Sequence, residues 1–134
     1  MRAFTVFIAA LSLASGARAE SVWEGVFTAD QATRGEALYA DRCVLCHGEN
    51  MEGTMSAPPL ADIGFLYVWD GRPLGELFEF TKTTMPPNEV GSLSDAQIAD
   101  LLAAILSGNA FPAGTAELPG DPAALTAITI LREQ

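Results

Sequence analysis

The sequence predicts an all-α protein, because its apolar residues recur at helical spacing and no alternation of strands and helices is visible. The clearest helix covers residues 94–106. Ser94 and Gln97 form a capping box at its start, its apolar stripe ends at Leu106, and Gly108 follows as a stop signal. By length, the 134 residues are expected to form one domain.

An earlier helix is predicted from residue 29 to about residue 42, because Thr28 and Gln31 form a second capping box. Gly35 and Tyr39 share one face of this helix. A glycine in a helix interior costs up to about 1 kcal/mol. We therefore expect another backbone to approach Gly35 closely, with a tolerated helix glycine as the alternative.

A third helix is expected to begin at Pro73 as its first residue, with Leu74, Leu77, Phe78 and Thr81 following at helical spacing, and the pair Pro86-Pro87 should end it. Residues 63–69 are apolar and aromatic, but the run is too short to assign.

Residues 1–19 have the pattern of a secretory signal peptide. Arg2 supplies the positive charge, residues 3–14 form an apolar run, and Ala-Arg-Ala at 17–19 is a small-residue cleavage site. The run is shorter than the about 20 residues that span a bilayer. We expect cleavage after Ala19 and no stable membrane insertion afterwards, with an uncleaved anchor as the alternative.

The mature chain is strongly acidic. Cleavage reduces the basic residues from 7 to 5 while the 17 acidic residues remain, so the formal net charge changes from -10 to -12. This charge argues against nucleic acid and anionic membrane surfaces as partners, and favours a basic docking patch on another protein. Simple solubility explains the charge equally well.

Residues 43–47 read Cys-Val-Leu-Cys-His. Two thiols at i and i+3 lie on one side of a helical turn, where they can meet the two vinyl groups of one haem. The histidine then lies under the porphyrin, and the pattern is the c-type haem attachment signature. The sequence thus predicts one haem c, bound covalently through Cys43 and Cys46, with His47 on the iron.

Two alternatives use the same cysteines without haem. A structural zinc site needs about four ligands, but the chain has only two cysteines and one histidine. A thiol-disulfide protein remains open, although a thioredoxin-like motif should lie near a βαβ pattern.

Because His47 is the single histidine, the sixth iron ligand must be another residue or absent. Methionine is the expected partner in such haems. Met51 follows His47 too closely to reach the opposite face, and Met55 would be strained; both are expected to be core filler. Met85 lies 38 positions downstream (85 minus 47) and is followed by the stiff pair Pro86-Pro87. Met85 is therefore the predicted ligand. A haem protein with an open or labile sixth site, gas-binding or peroxidase-like, is the alternative.

The order of these features resembles a class I cytochrome c over residues 28–108. The resemblance implies that the first and last helices cross, with Gly35 and Tyr39 against Leu101, Leu102 or Ile105. The family holds the proximal imidazole with a backbone carbonyl, and Pro58 matches that position; otherwise Pro58 is a turn residue. Trp69 and Arg72 match residues that donate to the haem propionates; otherwise they are a core aromatic and a solvated charge.

Residues 69–74 and 111–114 are similar to cytochromes associated with quinoprotein alcohol dehydrogenases. The resemblance implies a soluble periplasmic electron carrier rather than an enzyme, with a periplasmic quinoprotein dehydrogenase and a terminal oxidase as redox partners. The acidic composition departs from the basic mitochondrial relatives, so their partners do not transfer. The expected organisation is a signal peptide at 1–19, an extended lead-in at 20–27, a cytochrome domain at 28–108 and a C-terminal extension at 109–134.

Overall fold

The computed structural model describes residues 21–132, and the signal-peptide prediction for residues 1–19 lies outside them. Within the described range the chain is helical, apart from isolated β-bridges. The helices are α1 (Ala29–Arg42), α2 (Val44–His47), α3 (Asp62–Trp69), α4 (Leu74–Thr84), α5 (Asp95–Gly108) and α6 (Pro122–Leu125). The all-α prediction is confirmed. In this same part of the chain, no helix has the length and apolar character needed to cross a membrane.

Helices α1 and α5 cross at Gly35. A Cβ atom there would lie 1.9 Å from the Asp100 carbonyl oxygen and 2.9 Å from Ala104 Cβ. The predicted close approach is confirmed, but the nearest atoms differ from those that the resemblance implied. Asp100 and Ala104 are one helical turn apart and so lie on the same face of α5. Because α5 presents only backbone and a methyl group there, α1 can approach more closely than larger side chains would allow. The residues expected there are buried in the core: Leu101, Leu102 and Ile105.

The two predicted capping boxes differ in outcome. In α5 both bonds form: the Gln97 N–H donates to Ser94 Oγ (3.2 Å), and the Ser94 N–H donates to Gln97 Oε1 (2.9 Å). In α1 the Gln31 N–H donates to Thr28 Oγ1 (3.1 Å). The buried Gln31 side chain instead exchanges two bonds with the Leu118 backbone, at 3.0 and 2.8 Å. The second half of that box was therefore a wrong prediction, because a distant segment captures the amide.

Helix α5 ends in a Schellman turn. The Phe111 N–H donates to the Leu106 carbonyl (3.1 Å), and the Ala110 N–H donates to the Ser107 carbonyl (2.9 Å). The left-handed residue of this turn is Ala110, with φ of 61°. Gly108, the expected stop, is the last residue of the helix.

The C-terminal segment packs against the body. Thr129 bridges to both Ser21 and Pro73, and the Trp23 indole N–H donates to the Leu131 carbonyl (2.9 Å). The lead-in is extended only in part, because residues Val22–Glu24 form a 3-10 turn. Several apolar residues of the segment belong to the same core as the helices: Phe111, Leu118, Leu125, Ile128 and Ile130.

Candidate haem-binding site

The two cysteines lie one helical turn apart, directly after α1. The Cys43 N–H donates to the Tyr39 carbonyl (2.8 Å), and the His47 N–H donates to the Cys43 carbonyl (3.0 Å). These bonds place Cys43 and Cys46 at the two ends of a single turn. Both thiols are free and partly exposed. The pair therefore fits the two thioether bonds that a haem c requires.

Burial raises the pKa of the Cys43 thiol to about 11, against a smaller opposing effect of the Arg42 charge. A redox-active Cys-x-x-Cys motif needs a thiol whose pKa is lowered, because the thiolate is the nucleophile. Cys43 is therefore poorly suited to thiol-disulfide exchange.

His47 is oriented by one hydrogen bond. Its side chain is buried, and Nδ1 lies 2.8 Å from the Pro58 carbonyl oxygen. A carbonyl oxygen only accepts, so Nδ1 carries the proton and Nε2 keeps its lone pair. Nε2 makes no hydrogen bond with residues 21–132. It is also not one of the unpaired atoms that these residues enclose completely. The lone pair of Nε2 is therefore available to bind a haem iron.

The loop after the motif is attached to it. The Gly53 N–H donates to the His47 carbonyl (2.7 Å), and Thr54 Oγ1 donates to the Cys46 carbonyl (2.6 Å). Asn109, a residue not singled out from the sequence, also holds this loop: its Nδ2 donates to the Leu60 carbonyl (2.9 Å). A position just past a helix end is the sole sequence signal for Asn109, and that position says nothing about Leu60.

Met85 lies at the end of α4, half-buried, with its N–H donating to the Thr81 carbonyl (2.9 Å). Arg42 ties the following loop to the start of the Cys-x-x-Cys-His motif. Its guanidinium forms an ion pair with Glu89 and donates to Ser92 Oγ (2.9 Å). The segment that carries Met85 is thus linked to the residue before Cys43.

The other two candidate methionines lie in different surroundings. Met51 is buried, and its sulfur would lie 3.0 Å from a Cβ atom at Gly108, so its expected role as core filler is confirmed. Met55 is fully exposed in the loop after the motif. The expectation that Met55 fills the core was therefore wrong, because the loop turns it into solvent.

Trp69 and Arg72 lie together. The Arg72 guanidinium carbon is 4.2 Å from the centroid of the Trp69 ring, and its Nε donates to Glu76 Oε2 (2.9 Å). Trp69 is buried, and its indole N–H makes no hydrogen bond with residues 21–132 but is not one of their fully enclosed unpaired atoms. The tail supports the turn between them, since the Gly71 N–H donates to the Ile130 carbonyl (2.7 Å). Arg72 is thus a stacked and paired side chain, and not merely a solvated charge.

The helical fold and the Cys-x-x-Cys-His turn with its oriented histidine define the chain as a c-type cytochrome. It belongs to the cytochrome c family: residues 30–103 match the family described as cytochrome c oxidase, cbb3-type, subunit III. Family membership implies covalently bound haem c and electron transfer rather than enzyme catalysis, as expected for a class I monohaem cytochrome.

Among similar proteins, cytochrome c-551 of Bacillus subtilis (strain 168) is 33% identical over 100 residues, which cover 75% of this chain and 86% of that protein. The cbb3-type cytochrome c oxidase subunit CcoP of Cereibacter sphaeroides is 32% identical over 69 residues, which cover 50% of this chain and 24% of that subunit. CcoP of Azospirillum brasilense is 32% identical over 76 residues, covering 52% of this chain and 26% of the subunit. The chain thus spans about a quarter of the length of the CcoP relatives.

A crystal structure of the sulfane dehydrogenase SoxCD from Paracoccus pantotrophus is also similar. The TM-score is 0.49 and the identity 24%, over 66% of this chain and 53% of that one.

Proposed function

We propose that this chain is an exported, soluble carrier of single electrons in which His47 and Met85 bind one haem c iron. The observation that carries the proposal is the bond from His47 Nδ1 to the Pro58 carbonyl, at 2.8 Å, beside two free thiols. When bound, haem c supplies one-electron transfer between ferrous and ferric iron.

His47 contributes the proximal ligand. The Pro58 carbonyl accepts its Nδ1 proton, which holds the ring plane and makes Nε2 a stronger donor. Cys43 and Cys46 lie on the same turn as His47 and would form the two thioethers, so one short segment would supply both the covalent attachment and the imidazole ligand.

Met85 would supply the second ligand from the chain. The end of α4 holds its backbone, and the ion pair between Arg42 and Glu89 holds the loop behind it. If His47 and Met85 both bind the iron, the chain itself would occupy the position that a substrate would need. This is why a carrier is favoured over a haem protein with an open sixth site.

Trp69 and Arg72 are proposed to bind the propionates. The indole N–H of Trp69, which makes no hydrogen bond with residues 21–132, is a suitable donor to a carboxylate. The Arg72 guanidinium retains donors beyond the Nε and Nη2 groups that lie 2.9 Å from Glu76 Oε2, and stacking on Trp69 limits its motion.

The surface supports a basic docking partner. Each basic side chain among residues 21–132 forms an ion pair with a carboxylate, which leaves the remaining surface charge negative: Arg34, Arg42, Arg72, Lys82 and Arg132. We propose a terminal oxidase as acceptor, in keeping with the two relatives described as oxidase subunits, and a periplasmic quinoprotein dehydrogenase as donor.

The proposed organisation remains a signal peptide at 1–19, a lead-in at 20–27, a cytochrome domain at 28–108 and an extension at 109–134.

The test is expression of the full chain with haem-maturation machinery in a bacterium, followed by analysis of the periplasmic fraction. We expect the mass of a chain that begins at Glu20 and carries one haem. We also expect a pyridine haemochrome spectrum typical of two thioethers, and a ferrous protein that binds carbon monoxide slowly. The absence of a Soret band would instead indicate a thiol-disulfide protein. Rapid carbon monoxide binding would indicate an open sixth site.

A further inference from the structure

The Asn109 side chain joins the end of α5 to the loop after the haem-binding motif. Its Nδ2 donates to the carbonyls of Leu60 (2.9 Å) and Ile105 (2.8 Å). Its backbone φ of -92° suits any residue, so the main chain does not require asparagine here. The residue type must be explained by what the amide holds.

The amide has one usable orientation. Reversing it would direct Oδ1 at two carbonyl oxygens, which cannot donate. In the observed orientation Oδ1 is buried without a partner among residues 21–132, which carries a cost. The two donated bonds must offset that cost, and one of them reaches a residue 49 positions away in sequence.

Leu60 is held from both sides. Its N–H donates to the Met51 carbonyl (2.8 Å), while its carbonyl accepts from Asn109. The residues just before it are Pro58 and Pro59, each with a fixed φ and no N–H. A displacement of Leu60 is therefore passed on to the Pro58 carbonyl with little absorption by the intervening backbone.

We propose that Asn109 is a positioning residue of the haem site: by holding Leu60, it keeps the Pro58 carbonyl at hydrogen-bond distance from His47 Nδ1. The inference rests on the proposed ligation of iron by His47. A bond at Nδ1 makes the imidazole a stronger donor and so favours ferric iron. Loss of the Asn109 bond should weaken this effect and raise the reduction potential.

The test compares Asn109→Leu with Gln31→Leu in the haem-loaded full chain. Gln31 is the matched control, because its buried amide also makes two bonds with main-chain atoms, but to Leu118 rather than to the haem-site loop. We measure unfolding by denaturant, the midpoint potential, and solvent exchange of the His47 Nδ1 proton by NMR.

In Asn109→Leu the potential should rise, and the ring proton should exchange on the order of tenfold faster, as for the loss of one hydrogen bond. Gln31→Leu should lose comparable stability and keep both readouts at their wild-type values. Wild-type potential and exchange in Asn109→Leu would overturn the inference, and Asn109→Ala is read in the same way if the leucine variant does not fold. Failure of the proposed function is separate: the wild-type spectrum would then lack histidine ligation.

Discussion

Gly35 on α1 and the carbonyl of Asp100 on α5 lie so close that no side chain fits between the helices. In Gly35→Ala the new methyl group would be 1.9 Å from the carbonyl oxygen, so the helices must separate. Overpacking of this kind costs about 1–3 kcal/mol, more than the helix propensity gained.

We expect Gly35→Ala to lower the free energy of unfolding by about 2 kcal/mol in denaturant titrations. Glu36→Ala, at the exposed neighbouring position, is the control and should change it by less than about 0.5 kcal/mol. A Gly35→Ala protein as stable as wild type would refute the tight crossing.

The left-handed backbone of Ala110 predicts a stabilising substitution. A left-handed conformation costs a residue with a Cβ about 1–2 kcal/mol, whereas glycine adopts it freely. After the entropy that glycine loses on folding, Ala110→Gly should gain about 1 kcal/mol in thermal or denaturant unfolding. Ala113→Gly, at an exposed site nearby, should show no gain. An equal effect of the two substitutions would contradict the Schellman geometry.

The ion pair between Arg42 and Glu89 predicts an effect on Met85. Because the pair is partly exposed, Arg42→Gln and Glu89→Gln should each cost less than about 1 kcal/mol in stability. Both should nevertheless loosen the loop that carries Met85, and so speed carbon monoxide binding to the ferrous protein in stopped-flow measurements.

Arg34→Gln serves as the control for that experiment, since the ion pairs of Arg34 join Asp100 and Glu117 instead. It should leave the binding rate unchanged. If all three variants bind carbon monoxide at the wild-type rate, the ion pair does not restrain Met85.

Tyr39 predicts a high ionisation midpoint. Burial is the largest cause that raises the pKa of Tyr39 to about 12, and its hydroxyl donates to the Gly48 carbonyl (2.7 Å). Tyr67→Phe leaves Tyr39 as the single tyrosine, so ultraviolet titration of this variant should give a midpoint of about 12 for the ionisation of Tyr39. A midpoint near the ordinary value of about 10 would contradict the buried hydroxyl.

The raised pKa of Tyr39 makes the stability of the protein depend on pH. The contribution of Tyr39 is fully present below the unfolded-state value of about 10, and it is lost as the pH rises through about 12. Denaturant titrations across this range should show a steeper loss for wild type than for Tyr39→Phe. Equal slopes would indicate that Tyr39 ionises alike in both states.

Local patterns predicted the fold well, and distant contacts account for what they missed. The bounds of α1 and the capping box of α5 depend on residues within one turn, so the sequence indicates them directly. Gln31 was assigned to a local cap because nothing near it indicates Leu118, which lies 87 positions away.

The same distinction applies to the candidate site. The cysteines and His47 are adjacent in sequence, so their turn follows from spacing alone. The Pro58 carbonyl was implied by the resemblance, and the structure has it at 2.8 Å from His47. The role of Asn109 could not be predicted from the sequence, because its bond to Leu60 depends on how the end of α5 packs against a distant loop.

The central claim is the proposal that His47 and Met85 would both bind the haem iron. The near-infrared thioether charge-transfer band of the ferric protein tests it most directly. We expect the band in wild type and in Met55→Ala, whose methionine is exposed, and its loss in Met85→Ala. A band that persists in Met85→Ala, or that is absent from wild type, would contradict the account.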